Sequence, residues 1–255
     1  MNQIRVSVIA CYNKIDILND YLDKSLSKQS IDVERIYINN KELNLNSASS
    51  CLNHGASISN GDYLIFAHQD ISFEDPDFIR KAVQFTDVAD DAILGIAGKK
   101  VEDFKIYSNM LHGEKKWKAG NYQILDLEPV QTLDEVFIMM KRSTYDKVRF
   151  DEELLTNWHL YAVDLCLAAA QLNIKSYVMP LDAYHLSTGN IDKSFYDELN
   201  KVVKKHRSEF PTIASTCVNT STNPLKYEFY KIRMKVTSVL MRVARNIKRF
   251  VVNLS

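Results

Sequence analysis

At 255 residues and 46% hydrophobic content the chain can bury one good core, and its 32 Lys/Arg against 32 Asp/Glu leave no formal net charge. The balance hides an asymmetry: from Leu225 onward there are eight basic residues and one acid, so the first 224 residues carry 24 basic and 31 acidic ones. A neutral-to-acidic body excludes a nucleic-acid-binding core, and the basic tail points toward an anionic surface.

The four cysteines, Cys11, Cys51, Cys166 and Cys217, are widely spaced, with no CxxC pair and no histidine at finger spacing. That pattern predicts reduced thiols in a cytosolic protein, not a disulfide frame or a zinc site. The N-terminus leads straight into a strand without a signal-peptide pattern, and no apolar run approaches about 18 residues. The expectation is a cytoplasmic protein that does not span a membrane.

In chain order, Ile4 to Ala10 reads as a β-branched first strand ending at Cys11-Tyr12-Asn13. Ile15, Leu18, Leu22 and Leu26 then recur at helical spacing, and Val33 to Ile38 forms a second strand ending at Asn39-Asn40. Ser47 to Ser59 is a second helix. After the turn signal Asn60-Gly61 comes a buried third strand, Tyr63 to Phe66, followed by the polar run His68-Gln69-Asp70. Asp75 and Pro76 have the residue types of an N-cap and first helical position for a helix from Pro76 to Val88. A strand from Ile93 to Ala97 closes at Gly98. The succession β-α-β-α-β-α-β is that of a mostly parallel sheet with right-handed crossovers.

A carboxylate and an imidazole after a buried strand stand at the C-terminal edge of such a sheet, where ligands bind. They suit a divalent ion that holds a phosphate. Lys99 to Gln131 is less regular and reads as a loop or β-excursion, either a solvated basic loop or a lid using Trp117. Val136 to Met140 is strand-like and is preceded by Asp134 and Glu135. Trp158 to Leu172 is a helix, Tyr177 to Pro180 and Ala183 to Leu186 are short strands, and Lys193 to His206 is a closing helix. Val218 to Pro224 is a polar linker. Beyond it Val236, Val239, Leu240, Val243, Ile247 and Val251 share one helical face and Arg242, Arg245 and Arg249 another, the pattern of a basic amphipathic helix on an anionic membrane surface or a partner subunit. The domain reading is therefore 1–215 as catalytic body, 216–224 as linker and 225–255 as tail.

Several separated segments of residues 4–210, in order, resemble the family 2 glycosyltransferases with the glycosyltransferase-A fold, in particular the bacterial branch of capsule and surface-polysaccharide genes. Val6 to Asn13 is similar to the opening strand "VSVIIPTYN", and Asn53-His54-Gly55-Ala56 with Asn60 to Phe66 is similar to "N-x-G … GDYIxF". His68-Gln69-Asp70 stands at the metal-binding Asp-x-Asp, Leu133-Asp134-Glu135 at an acidic acceptor-side segment, Trp158 to Cys166 at the helix bearing the base, and Tyr184 to Gly189 at a late His motif. The resemblance implies a Rossmann-like, mostly parallel α/β sheet flanked by helices, and an inverting transfer from a nucleotide sugar, usually a UDP-sugar, to a hydroxyl of a lipid- or protein-linked surface glycan. It implies Mg²⁺ or Mn²⁺ on Asp70 and His185, and donor contacts from Tyr12, Asn13, Asn39, Asn53, His68 and Gln69. His68 replaces the first acid of the motif and adds no charge. Asn39 stands where an Asp commonly faces uracil. The usual base position is Ala162, which leaves Asp134, Asp164 and His159 as candidates. That gap keeps open a second reading, a non-catalytic nucleotide-sugar-binding or scaffolding subunit. The tail implies a peripheral place on the inner membrane face, and a homo- or hetero-oligomer is compatible with the sequence.

Overall fold

The computed structural model describes residues 4–103, 105–189 and 191–234. The amphipathic tail from residue 235 onward lies outside them. In chain order the first elements are β1 (Val6–Tyr12), a helical segment of α1 (Ile15–Leu18), a π-turn (Asn19–Asp23) and α2 (Lys24–Leu26), then β2 (Glu34–Asn39), α3 (Ala48–Ile58), β3 (Tyr63–Ala67), β4 (Ile71–Ser72), α4 (Phe78–Ala89) and β5 (Ala92–Gly95). There follow β6 (Ala97–Lys99), β7 (Ile106–Ser108), β8 (Leu111–His112), β9 (Trp117–Lys118), β10 (Glu128–Val130), β11 (Thr132–Leu133), β12 (Phe137–Lys141) and α5 (Arg142–Val148). The remainder is α6 (Tyr161–Gln171), β13 (Lys175–Val178), β14 (Tyr184–His185), α7 (Lys193–His206), β15 (Thr212–Ala214) and β16 (Asn219–Ser221).

The main sheet has the order β10-β13-β5-β12-β3-β1-β2. Strands β1, β2, β3, β5 and β13 run one way, while β12 is antiparallel to both β3 and β5 and β10 is antiparallel to β13. The predicted, mostly parallel α/β sheet is therefore present, with antiparallel strands inserted. Alternation along β3 divides the core: Leu64 and Phe66 join α3, α5, α6 and α7 on one face, and Ile65 and Ala67 join Leu18, Leu22 and α4 on the other. The sheet is sandwiched between two helical layers.

Local chemistry fixes the ends of the helices. Ser47 Oγ accepts from Ser50 N at 3.1 Å to cap α3, and Asp192 Oδ1 accepts from Ser194 N at 2.8 Å to cap α7. Asp75 is not the N-cap of α4. Its Oδ1 accepts from Asp77 N at 2.9 Å, its Oδ2 meets Lys81 Nζ at 2.6 Å, and the helix begins at Phe78. Helix α6 starts at Tyr161, not Trp158, because the backbone reverses through Leu160 at a left-handed φ of 63°. The carboxylate of Glu198 holds the preceding turn, accepting from Asn157 N at 2.9 Å and His159 N at 3.4 Å.

Three smaller departures complete the comparison. The strand predicted over 93–97 is two, β5 and β6, and β6 turns into a second sheet, β11-β6-β7. The irregular stretch 99–131 is a β-excursion, with Trp117 exposed in β9 of the sheet β4-β14-β8-β9. The stretch 218–224, read as a linker, contains β16, which pairs with β15.

Candidate active site

Strand β3 delivers His68, Gln69 and Asp70 to the C-terminal edge of the sheet, and His68 N continues the ladder to Val136 O at 3.0 Å. The next strand, β4, pairs antiparallel with β14, with Ile71 opposite His185. Leu186 N donates to Asp70 O at 3.0 Å and Ser187 N to Asp70 Oδ2 at 3.1 Å, so backbone pairing fixes the late histidine against the early aspartate.

Polar atoms converge on His185 Nε2, with Asp70 Oδ1 at 3.1 Å, Ser187 Oγ at 3.2 Å and His68 Nδ1 at 3.3 Å. His68 Nε2 lies 3.1 Å from the Tyr161 hydroxyl, which donates to the Glu135 carbonyl at 3.2 Å. Because that carbonyl only accepts, the tyrosine proton is committed to it, and His68 Nε2 must be the donor to the tyrosine oxygen. His68 Nδ1 then keeps its lone pair and faces the cluster. A hydrogen bond of this kind orients an imidazole that could ligate a metal.

The electrostatics keep the ring uncharged. Burial, with the charge of His185 second, pushes the His68 imidazole down to about 4, so it is neutral near pH 7. Burial opposes ionisation of Asp70, but hydrogen bonding and charge from His185, with the Ser187 contact, outweigh it and hold the carboxyl well below the usual range. The ligand atoms of His68, Asp70 and His185 all lie within 4.8 Å of one another. Two imidazoles and one carboxylate fit a divalent transition ion such as Mn²⁺ better than Mg²⁺, which prefers oxygen donors.

Two members of the cluster, His68 and Asp70, line a cleft of about 580 Å³ together with Cys11 to Lys14, Ile17, Asn40, Lys41, Ala48, Leu52, Ala67, Gln69, Trp158, Tyr161, Leu186 and Ser187, and the buried His185 is bonded to Asp70. Tyr12, Asn13, His68 and Gln69 thus stand together as predicted. Gln69 is the buckle: its Oε1 accepts from Asn13 N and Lys14 N, both at 3.2 Å, and its Nε2 donates to Asn13 Oδ1 at 3.0 Å. Cys11 at the end of β1 faces Cys51 on α3, and their shared hydrogen bond, with burial, keeps the proton on Cys11.

Four predicted residues are employed elsewhere. Asn39 closes the turn after β2, its Nδ2 donating to Glu42 Oε1 at 2.7 Å, and Asn40 and Lys41 line the cleft instead. Asn53 donates to Phe150 O at 2.9 Å and accepts from Tyr145 Oη at 2.7 Å, beside a different depression. Asp164 is 1% exposed and 2.7 Å from Nε2 of the fully buried His206, with Lys205 Nζ at 2.8 Å from its other oxygen, so it ties α6 to α7. His159 packs edge-on to Phe195, 3.8 Å from Asp192, and does not line the cleft. Asp134 stays at the sheet edge, but its carboxylate accepts from Val136 N at 3.2 Å and Thr216 Oγ1 at 2.6 Å.

Tyr161, Lys14, Lys41, Trp158 and Ser187 are site residues that sequence reasoning did not assign. Trp158, Tyr161 and Ser187 lay inside quoted motifs, whereas nothing local marked the lysines.

A family model described as "Glycosyltransferase like family" matches residues 7–209. No curated protein matches the chain. Among solved structures, S. aureus TarS 1-349 is similar at 15% identity and a TM-score of 0.52, over 79% of this chain and 65% of that one. TarS 1-349 in complex with UDP-GlcNAc matches at 12% identity and a TM-score of 0.55, over 79% and 66%. The mannosyltransferase PcManGT from Pyrobaculum calidifontis, in complex with GDP-Man and Mn²⁺, matches at 10% identity and a TM-score of 0.55, over 82% and 66%. The chain spans just under two thirds of each of these proteins, and the likeness is one of fold.

Proposed function

Because the chain belongs to the Glycosyltransferase like family, which matches residues 7–209, we propose that it transfers a sugar from a nucleotide sugar to an acceptor hydroxyl with inversion. The observation that carries this reading is the convergence of His68, Asp70 and His185 at the C-terminal sheet edge, where His68 and Asp70 open onto the cleft. A divalent cation held by those three residues supplies positive charge for the leaving diphosphate. Tyr161 and Ser187 orient the ligands, and Gln69 fixes the Asn13–Lys14 backbone that walls the donor. Lys14 and Lys41 bring positive charge to the same cleft, which suits a diphosphate. The complexes of similar folds with UDP-GlcNAc and with GDP-Man and Mn²⁺ support a nucleotide-sugar donor, with a UDP-sugar as the first candidate.

The acceptor in this reading is a lipid- or protein-linked glycan of the bacterial surface, met at the cytoplasmic membrane face. Support comes from the helix through 224–234, where Leu225, Phe229 and Ile232 are exposed beside Lys226 and Lys231, leading into the basic tail. A second reading, a nucleotide-sugar-binding subunit without catalysis, is favoured by one observation: Ala162 has no acid and Asp164 is locked to His206.

The test is binding and slow hydrolysis of a panel of nucleotide sugars, with Mn²⁺ and with EDTA, on the native chain and Asp70→Ala. Metal-dependent turnover of one donor, lost in the variant, is expected. Binding without turnover favours the second reading, and no binding of any donor refutes both.

A further inference from the structure

Resting on the glycosyl-transfer reading above, we propose that Glu135 is the general base for the attacking hydroxyl, supplying from the segment before β12 the carboxylate that the chain lacks at Ala162. Glu135 directly precedes Val136, whose carbonyl accepts from His68 N, so it stands at the same level of the sheet edge as the ligand cluster. Its own carbonyl accepts from the hydroxyl of Tyr161, which lines the cleft. Its side chain reaches the first turn of α6, where the backbone N–H groups of Leu160 and Tyr161 face the carboxylate. The next residue along that turn is Ala162.

The second observation is an orphan. Glu135 Oε1 is buried without a hydrogen-bond partner. A carboxylate kept only to finish the start of α6 would be satisfied, as Glu198 is by Asn157 N and His159 N one turn away. An unsatisfied oxygen beside the turn that leads to Ala162 is what a proton acceptor waiting for a hydroxyl looks like. Burial first, then the charges of Asp134 and Glu198, raise its proton affinity well above that of an ordinary glutamate, against the pull of the Leu160 and Tyr161 N–H groups. The Tyr161 phenol and the Cys217 thiol, both near enough to feel its charge, are themselves raised by burial. A base of raised affinity takes a hydroxyl proton more readily.

The step balances. The acceptor O–H proton passes to Glu135 as the oxygen lone pair forms a bond to the anomeric carbon. The bond from that carbon to the diphosphate oxygen breaks, and its electron pair leaves with the nucleoside diphosphate. Glu135 then returns the proton to solvent.

The experiment uses the full chain with Mn²⁺ and UDP-glucose, UDP-galactose, UDP-N-acetylglucosamine and GDP-mannose, with water as the acceptor. Donor binding is read by calorimetry and hydrolysis by release of nucleoside diphosphate. Glu135→Gln is expected to bind donor as the native chain does and to hydrolyse it about 100-fold more slowly or worse. Adding Ala162→Asp should restore at least about tenfold of that loss, a recovery that a packing role would not give. Turnover by Glu135→Gln at the native rate overturns the proposal, as does a double variant no better than the single one. Should Glu135→Gln melt early, Glu135→Asp, which keeps the charge but withdraws it by one methylene, is read in its place and should fall between native and Gln. A native chain that binds a donor but turns none over has no working base, which overturns the assignment and leaves the donor site standing. A native chain that binds no nucleotide sugar overturns the glycosyl-transfer reading itself.

Discussion

Replacing Asp164 with alanine separates a structural acid from a catalytic one. Asp164 Oδ1 is 2.7 Å from His206 Nε2, and Gln171 Nε2 approaches His206 Nδ1 at 3.4 Å, so Nε2 is the donor and loses its only acceptor in the variant. His206 is fully buried and water cannot replace the carboxylate. Losing a buried hydrogen bond to a charged group costs about 1.5–3 kcal/mol. Lys205 keeps its 2.9 Å contact with Asp151 and is about one-third exposed, so solvent blunts its share. The sum is about 3 kcal/mol, which for a domain of this size lowers the melting temperature by roughly 6–12 °C. Thermal melting and urea unfolding measure it, and calorimetry with a nucleotide sugar at a temperature where the variant is folded should show native affinity. A variant that melts within about 2 °C of the native chain yet loses all turnover would refute this assignment and return Asp164 to the list of bases.

Two further outcomes follow from the same contacts. With metal absent, the unfolded chain takes up a proton on His68 near pH 6.5 while the folded one resists to about 4, so stability is unaffected above that upper value and is lost as pH falls through the window. Urea unfolding should show about 2 kcal/mol less stability at pH 5 than at pH 7 from this group, and His68→Gln should remove that increment; an unchanged slope would contradict it. Gly61→Ala would place a Cβ 2.5 Å from the backbone nitrogen of Ser7, in a strand paired on both sides, so neither backbone can yield. A loss of about 2 kcal/mol or more in urea unfolding is expected, and a variant as stable as the native chain would show that β1 can shift.

Periodic features were legible and cross-element partnerships were not. The helix from Lys193 to His206 and the juxtaposition of Asp70 with His185 could be read because apolar spacing and motif order are local properties of the chain. Strand direction is not local. The run Phe137 to Lys141 has the pattern of any buried strand, and only the fold inserts it antiparallel between β3 and β5. The fate of Asp164 was hidden for the same reason, since its partner His206 lies on another helix. Asn53 spends both ends of its amide on Phe150 and Tyr145, far along the chain. Asn39 was misjudged because an asparagine after a strand is as good a turn residue as a ligand contact. Glu135 was passed over beside Asp134, because two adjacent acids look alike until the fold gives the Asp134 carboxylate its partners and leaves Glu135 Oε1 without one.

The hydrogen-bonded seam between β4 and β14 also sets a schedule for the chain as it is made. Asp70 and His185 are 115 positions apart, so a long stretch of synthesis separates the two sides of the seam. A nascent chain that has reached β12 carries His68 and Asp70 with nothing opposite them, and ring closure over so long a span makes their union a slow, late event. The hydrogen bonds of this seam should therefore gain protection during refolding later than those of β1 against β3.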